Sequence, residues 1–219
     1  MREPSTNLQL AIDCLGRYGL LLESDRALPS VVSLIAAEPV SGSWWGHPLG
    51  EAIHQVTRQL ADHPDVLVTK LVSGKVTYVH RRLWSVVLAL GLAREPWQLM
   101  DLSSVAHSLL DAVDQNDELP TDEVPWFGGP NSQSPAEAAR QLERRLLVHG
   151  QETHTEGGAH AKRLETWQRW AKRVEWAGKG VPPERAKKEL EELIEGLNAE
   201  FEAKARLPWI ATSRRVRGG

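Results

Sequence analysis

The stretch Val66-Leu-Val-Thr-Lys-Leu-Val72, Ser73-Gly74, Lys75-Val-Thr-Tyr-Val-His80 decides the predicted fold of the first half of the chain. Two runs rich in β-branched residues are separated by a two-residue turn that contains glycine. Because glycine adopts the positive φ that tight hairpin turns require, the stretch predicts a β-hairpin.

Three helices are predicted before this hairpin. Apolar residues recur at helical spacing over 6–22, a second helix can start at Pro29 and end at Pro39, and a third extends from Pro48 to about His63-Pro64. Three helices followed by a hairpin is the order of a winged helix, whose third helix can enter a DNA groove while the hairpin contacts the backbone. The order therefore predicts a winged-helix-like domain.

The composition changes near residue 115, where an acidic stretch rich in proline and glycine begins. This change predicts three parts: a winged-helix-like domain over 1–115, a linker or long loop over 116–135, and a helical region with a basic tail over 136–219. Further helices are predicted over 82–91, 103–113, 135–149, 159–177 and 182–206. The predicted fold class is mainly α, with a winged-helix-like N-terminal domain carrying one β-hairpin and a C-terminal α-helical region. The sequence shows no internal repeat.

The composition limits the class of protein. In 219 residues, 41% hydrophobic and 25% charged content favours a folded globular chain. A net charge of −3 excludes a globally basic nucleic-acid binder, so DNA binding requires a local patch. The single Cys14 excludes an internal disulfide, and no apolar stretch is long enough for a membrane helix. We expect a soluble, cytoplasmic protein.

The cations of the predicted hairpin are the first candidates for contact with DNA. No acidic residue lies between Val66 and Arg94, and lysines on a projecting turn can neutralise phosphates without reading sequence. Lysines on edge strands also prevent aggregation, which is the alternative explanation. The candidate contacts are Lys70, Lys75, Arg81 and Arg82.

The predicted third helix offers two further candidates, Gln55 and Arg58, since an amide suits adenine and a guanidinium suits guanine. The carboxylates of Glu51 and Asp62 on the same face would oppose phosphates. Directly before this helix, Trp44-Trp45 and Gly46-His47-Pro48 fit a hydrophobic staple that fixes the approach of the helix. Base stacking by a tryptophan is the alternative.

Part of this region resembles a known family. Gly42-Ser-Trp-Trp-Gly-His, a helix, and Leu71-Val-Ser-Gly-Lys-Val-Thr-Tyr-Val-His-Arg-Arg-Leu-Trp84 resemble the winged-helix segment of bacterial alkylpurine DNA glycosylases of the AlkZ type, over about residues 42–84. The resemblance implies tandem winged helices, a concave DNA-binding surface and a hairpin near the DNA. The positions that it marks as scaffold or DNA-facing are Trp44, Trp45, Lys75, Arg81 and Arg82.

The same resemblance implies excision of alkylated or crosslinked purines by a water that a Gln-apolar-Gln or Gln-apolar-Asp motif positions. Gln115-Asn116-Asp117 has a polar centre and lies in the acidic stretch, so no catalytic residue and no cofactor are predicted. The predicted function is DNA binding without catalysis. Two alternatives stay open: a divergent DNA glycosylase, and a protein-interaction module that does not bind DNA. Tryptophan-rich surfaces suggest possible self-association.

Two other groups of residues were considered as sites. His149, His154 and His160 alternate with glutamates, and in a continuous helix His149, Glu152, Glu156 and His160 would share one face. Gly150 and Gly157-Gly158 disfavour such a helix, so a polar cluster is favoured over a metal site. Residues 162–188 carry an excess of six positive charges, a possible phosphate-contacting stripe. The favoured interpretation is pairing with the acidic stretch after residue 188 in a self-neutralised bundle.

Overall fold

The computed structural model describes residues 4–38, 40, 43–121, 133–154 and 160–210. This part of the chain is mainly α with two small three-stranded sheets, which confirms the predicted mainly α class. The helices are α1 Pro4–Tyr18, α2 Val31–Ala36, α3 Gly50–Ala61, α4 Trp84–Ala93, α5 Pro96–Leu99, α6 Ser104–Asn116, α7 Pro135–Arg144, α8 Trp167–Arg173 and α9 Pro183–Glu200. The strands are β1 Leu20–Leu22, β2 Val66–Thr69, β3 Thr77–His80, β4 Glu118–Pro120, β5 His149–His154 and β6 His160–Glu165.

The first sheet has the order β1-β3-β2, and all its pairs are antiparallel. The predicted hairpin is confirmed, with Val66 opposite His80 and Thr69 opposite Thr77. The predicted helix over 6–22 is too long, because Gly19 at φ +80° ends α1 and the next three residues pair with β3.

The second sheet, of order β4-β6-β5, was not predicted. The predicted helix over 135–149 ends as α7 at Arg144, and the first part of the predicted helix over 159–177 is the strand β6. The short stretch 160–165 also fits helical spacing, but pairing on both edges with β4 and β5 places it in a sheet. The predicted all-helical C-terminal region is therefore wrong.

The two sheets belong to two units whose strands follow one another in the same order along the chain. The first unit, residues 4–80, contains α1, β1, α2, α3, β2 and β3; the second, residues 104–165, contains α6, β4, α7, β5 and β6. In both sheets the last strand of the unit lies in the middle. The structure thus contains a repeat of topology that the sequence did not show.

Three apolar cores hold these parts together. In the first sheet, alternate residues face opposite cores, since Leu21 and Tyr78 pack against α1, α2 and α3 while Leu20 and Val79 pack against α4 and α9. The third core joins α6 to α7 and the second sheet. The predicted boundary near residue 115 is therefore misplaced: α6 packs in the second unit, and residues 118–120 of the predicted linker form β4.

Most of the described tryptophans fill these cores. Trp44, Trp84, Trp97, Trp167, Trp170 and Trp209 are buried, and the partly buried Trp176 packs against Trp84. Trp45 is the exception among the described tryptophans, with 62% of its surface exposed. The predicted tryptophan-rich surface is thus reduced to a single ring in the part of the chain that the structure describes.

A search of the described residues for membrane-spanning segments finds no helix that is both long enough and apolar enough to cross a bilayer.

Candidate functional site

The turn between β2 and β3 is packed against two other parts of the chain. The backbone N–H of Ser73 donates to the Arg206 carbonyl (2.8 Å), and the Arg206 N–H donates back to Ser73 Oγ (3.1 Å). On the other side, the Arg144 side chain lies on Gly74, where a Cβ would be 3.3 Å from Arg144 Nε. The sequence predicted an outward-projecting hairpin, and this expectation is wrong.

Lys70 is not available to a ligand. Its Nζ lies 3.0 Å from the Glu143 carboxylate, which also binds Lys162 Nζ at 2.9 Å, and only 14% of the Lys70 side chain is exposed. Burial lowers the pKa of the Lys70 ammonium below its usual range, and the attraction of Glu143 offsets only part of this shift. The predicted DNA contact at Lys70 is instead a buried polar link between the two units.

Two other predicted contacts, Arg81 and Arg82, also serve the fold. Arg81 pairs with Asp65 (3.2 Å), and its guanidinium lies over the rings of Trp84 and Trp176, at 5.5 and 5.4 Å from the centroids. Arg82 donates to the carbonyls of Gly16 and Arg17, at 2.6 and 3.1 Å. These carbonyls lie in the last turn of α1, where unpaired acceptors favour a cation.

Lys75 differs from the other hairpin cations because it stays at the surface. It pairs with Asp25 at 2.6 Å while 46% of its side chain is exposed. Burial acts to raise the pKa of Asp25, but hydrogen bonds from Lys75 and from the N–H groups of Ala27 and Leu28 lower it overall. The carboxylate is thus ionised, and its ion pair holds the terminal ammonium of Lys75 next to the turn.

Other cations from distant parts of the sequence meet Lys75 at this turn. Arg26 and Lys75 line one small pocket with Asp25 and Val40, Arg144 covers Gly74, and Arg206 binds Ser73 through its backbone. Arg26, Arg144 and Arg206 are exposed, and none of them forms an ion pair with another residue that the structure describes. We call these four residues the turn cluster: Arg26, Lys75, Arg144 and Arg206.

Sequence reasoning found only Lys75 of these four. The others follow β1, end α7 and follow α9, so no local pattern links them. The signal in the sequence was the absence of acidic residues next to Arg206 and within the turn itself. The cluster depends on the packing of both units and the C-terminal segment on a single turn.

The outer face of α3 carries the other predicted contacts. Gln55 and Arg58 are exposed, as the spacing predicts, and Arg58 has no ion-pair partner in the described ranges. The predicted scaffold residue His47 accepts the Leu49 N–H at Nδ1 (3.1 Å) and closes the turn before α3. The outer face of α3 is therefore accessible, and the turn that leads into the helix is held by this hydrogen bond.

The Trp44-Trp45 pair is divided between the core and the surface. The rings stack with centroids 4.3 Å apart at 19°, with Trp44 buried and Trp45 exposed. His54 of α3 lies 5.2 Å from the Trp45 ring. The staple prediction fits Trp44, whereas Trp45 is a surface side chain that the core does not need.

The predicted histidine cluster is divided as well. His149 is buried and lies 3.0 Å from the Glu165 carboxylate, which also accepts from Arg173 (2.6 Å). The side chains of His154 and His160 lie outside the described residues. Within the described residues, no group of three possible ligands is close enough to hold a metal ion.

The cations of residues 162–188 are largely paired with carboxylates, but these carboxylates are not those that the sequence suggested. Most of the partners precede the stripe or lie within it, and only Lys188 reaches the following acidic stretch, at 3.6 Å from Glu192. The other pairs are Lys162–Glu143, Arg163–Glu118, Arg169–Glu118, Arg173–Glu165, Lys187–Glu95 and Lys187–Glu184.

The candidate motif Gln115-Asn116-Asp117 has a structural role. Asn116 is the last residue of α6, and Asp117 at φ +61° terminates the helix and accepts a hydrogen bond from the Thr166 hydroxyl (3.3 Å).

Comparisons of the chain with protein-family models, with curated proteins and with solved structures find no match. The case for a function thus depends on the chain's own geometry.

Proposed function

We propose that the protein binds the phosphate backbone of duplex DNA through the turn cluster, without a catalytic step. The observation that carries the proposal is that four residues with cationic side chains, from four separate segments, lie at or beside one tight turn, and three of these side chains have no described carboxylate partner. Cations held on a rigid turn neutralise phosphates without reading the bases.

The proposal includes a winged-helix-like fold for both units. The first unit has the order helix, strand, helix, helix, strand, strand, and the second repeats the strand order and the sheet arrangement. In winged helices, the helix before the hairpin and the hairpin itself are the elements that meet DNA. The turn cluster combines both kinds of element, since Lys75 lies on the first hairpin and Arg144 on the helix before the second.

The proposal also accommodates the overall negative charge. A net charge of −3 gives no general attraction to DNA, so binding depends on the local excess at the turn. Of the acidic groups, Asp25 lies in the cluster and neutralises one of its four cations. The remaining excess is sufficient for salt-dependent binding that is weak and independent of sequence.

Reversal of one charge in the cluster tests this function. If all four cations contact phosphates, the logarithm of the binding constant should fall with the logarithm of salt concentration at a slope of about −3.6. Arg144→Glu should lower the affinity for a fluorescein-labelled 24-base-pair duplex by about tenfold or more and make the slope less steep by about 1. Fluorescence anisotropy at several salt concentrations measures both.

Lys188→Glu is the matched control, because Lys188 is 77% exposed on α9 and the change in net charge is the same. This variant should bind DNA like the unmodified protein. Equal losses in the two variants would mean that only net charge matters, and no measurable binding by the unmodified protein would refute the proposed function.

A further inference from the structure

The ring of Trp45 is exposed but rigidly held. One face stacks on the buried Trp44 at 4.3 Å, and His54 lies against it at 5.2 Å. The turn that carries both tryptophans packs closely on Gly50, where a Cβ would lie 3.1 Å from the Trp44 and Trp45 carbonyl oxygens. An indole fixed in this way loses little conformational entropy when a ligand stacks on it.

The surroundings of Trp45 are polar. On α3, Arg58 lies one turn after His54 and therefore on the same face of the helix, and Gln55 is exposed beside them. The other large apolar side chains that are exposed in the described ranges, Leu92, Met100 and Ile210, lie outside the first unit. A hydrophobic docking site for a protein requires a contiguous apolar patch of several hundred Å², and one ring among charged and amide groups does not supply it.

A nucleobase fits these surroundings better. A base stacks on an aromatic ring through its π-face, and an adjacent guanidinium and amide can hydrogen-bond to its edge. In an intact duplex the bases are already stacked on one another, so the ring can receive only a base that is unpaired. The chemistry of the surface therefore selects DNA with an exposed base.

Trp45 also lies within reach of the turn cluster. Val40, which lines the same pocket as Lys75, precedes Trp45 by five residues, a span of at most about 18 Å. A stacked strand covers that distance in about five nucleotides. One DNA strand of that length is therefore long enough to join the pocket at Lys75 to Trp45.

We infer that Trp45 is a stacking platform for an unpaired base of DNA, flanked by Arg58 and Gln55. This inference rests on the proposed function, since the turn cluster supplies the contact with the phosphates. It assigns to the same surface a class of substrate: duplexes that carry a bulged, mismatched or otherwise extruded base.

The test compares two labelled duplexes of the same sequence, one fully paired and one with a single extra adenine. The full-length protein should bind the bulged duplex at least about fivefold more tightly, because stacking of one base on an aromatic ring contributes about 5- to 150-fold in affinity. Trp45→Ala should lose this preference and keep its affinity for the paired duplex within about twofold. Trp45→Phe should keep most of the preference.

Leu92→Ala, which also shortens an exposed apolar side chain, is the matched control and should behave like the unmodified protein. A second readout places 2-aminopurine at the bulge, where stacking on the indole should reduce its emission with the unmodified protein but not with Trp45→Ala. With each variant at a saturating concentration, this signal reports the ring contact itself and not a general weakening of binding.

The outcomes separate the two proposals. If the unmodified protein binds both duplexes equally, or if Trp45→Ala keeps the preference, the stacking platform is refuted while DNA binding by the turn cluster stands. If neither duplex binds, both proposals are refuted. If Trp45→Ala changes the sedimentation coefficient of the free protein from that of a dimer to that of a monomer, the ring contacts a second copy of the chain, and the inference is also wrong.

Discussion

The group formed by the buried Glu165 and His149 and the partly exposed Arg173 makes the stability of the protein depend on pH in a defined way. Burial alone would raise the pKa of Glu165, but hydrogen bonds from His149 and Arg173 outweigh burial and lower the pKa from 4.5 to about 2. The folded state thus holds the charged carboxylate more strongly than the unfolded state does.

The sign and size of the effect follow from this shift. The contribution of Glu165 to stability is fully present above pH 4.5 and is lost as the pH falls towards 2. A shift of this size corresponds to a free energy on the order of 3 kcal/mol. Glu165→Gln should therefore lower the free energy of unfolding by about 3 kcal/mol at pH 7, and this difference should shrink to about 1 kcal/mol at pH 2.5.

Urea unfolding followed by circular dichroism at pH 7, 5, 4, 3 and 2.5 measures this difference. Glu184→Gln removes a surface carboxylate that is 84% exposed, and its curve should run parallel to that of the unmodified protein. A difference between Glu165→Gln and the unmodified protein that stays constant from pH 5 to 2.5 would refute the argument, because it would show that Glu165 has no lowered pKa in the fold.

Two further predictions concern packing and the buried charges. Gly91→Ala should destabilise the protein by about 1–2 kcal/mol, since its Cβ would lie 2.6 Å from the buried Trp167 ring, whereas Gly196→Ala, with no atom within 4 Å, should stabilise α9 by about 0.5–1 kcal/mol. Urea unfolding measures both, and effects of the same sign would contradict the packing described. Glu143→Gln should cost about 3–5 kcal/mol because it leaves two partly buried ammonium groups without a carboxylate, whereas Lys70→Met should cost less than about 1 kcal/mol. Equal losses of stability in these two variants would show that Glu143 does not neutralise both Lys70 and Lys162.

The predictions from sequence succeeded where the decisive contacts are local. The hairpin around Ser73-Gly74 was found because its two strands are adjacent in the chain and its turn residues are specific. The helices α3 and α6 were found from their apolar spacing. In each case the information lies within about fifteen residues.

The predictions failed where partners are distant. The strand β6 was assigned to a helix because Leu164 and the residues after it fit helical spacing, and only pairing with β4 and β5 makes it a strand. The prediction that Lys70 is available for contact with DNA failed for the same reason, since its partner Glu143 is 73 residues away in the chain. Of the turn cluster, the sequence could identify only the member that lies on the hairpin.

One consequence of the fold concerns the order in which the chain is synthesised. The core that contains Leu20 also contains Trp209, so it cannot close until residue 209 has left the ribosome. The core between α1, α2 and α3 consists of residues before 80 and can form much earlier. Helix α4 is synthesised soon after the first sheet and can cover part of its second face, but the part that α9 and Trp209 cover stays exposed until late in translation. The nascent chain therefore passes through a partly covered intermediate that is prone to aggregation.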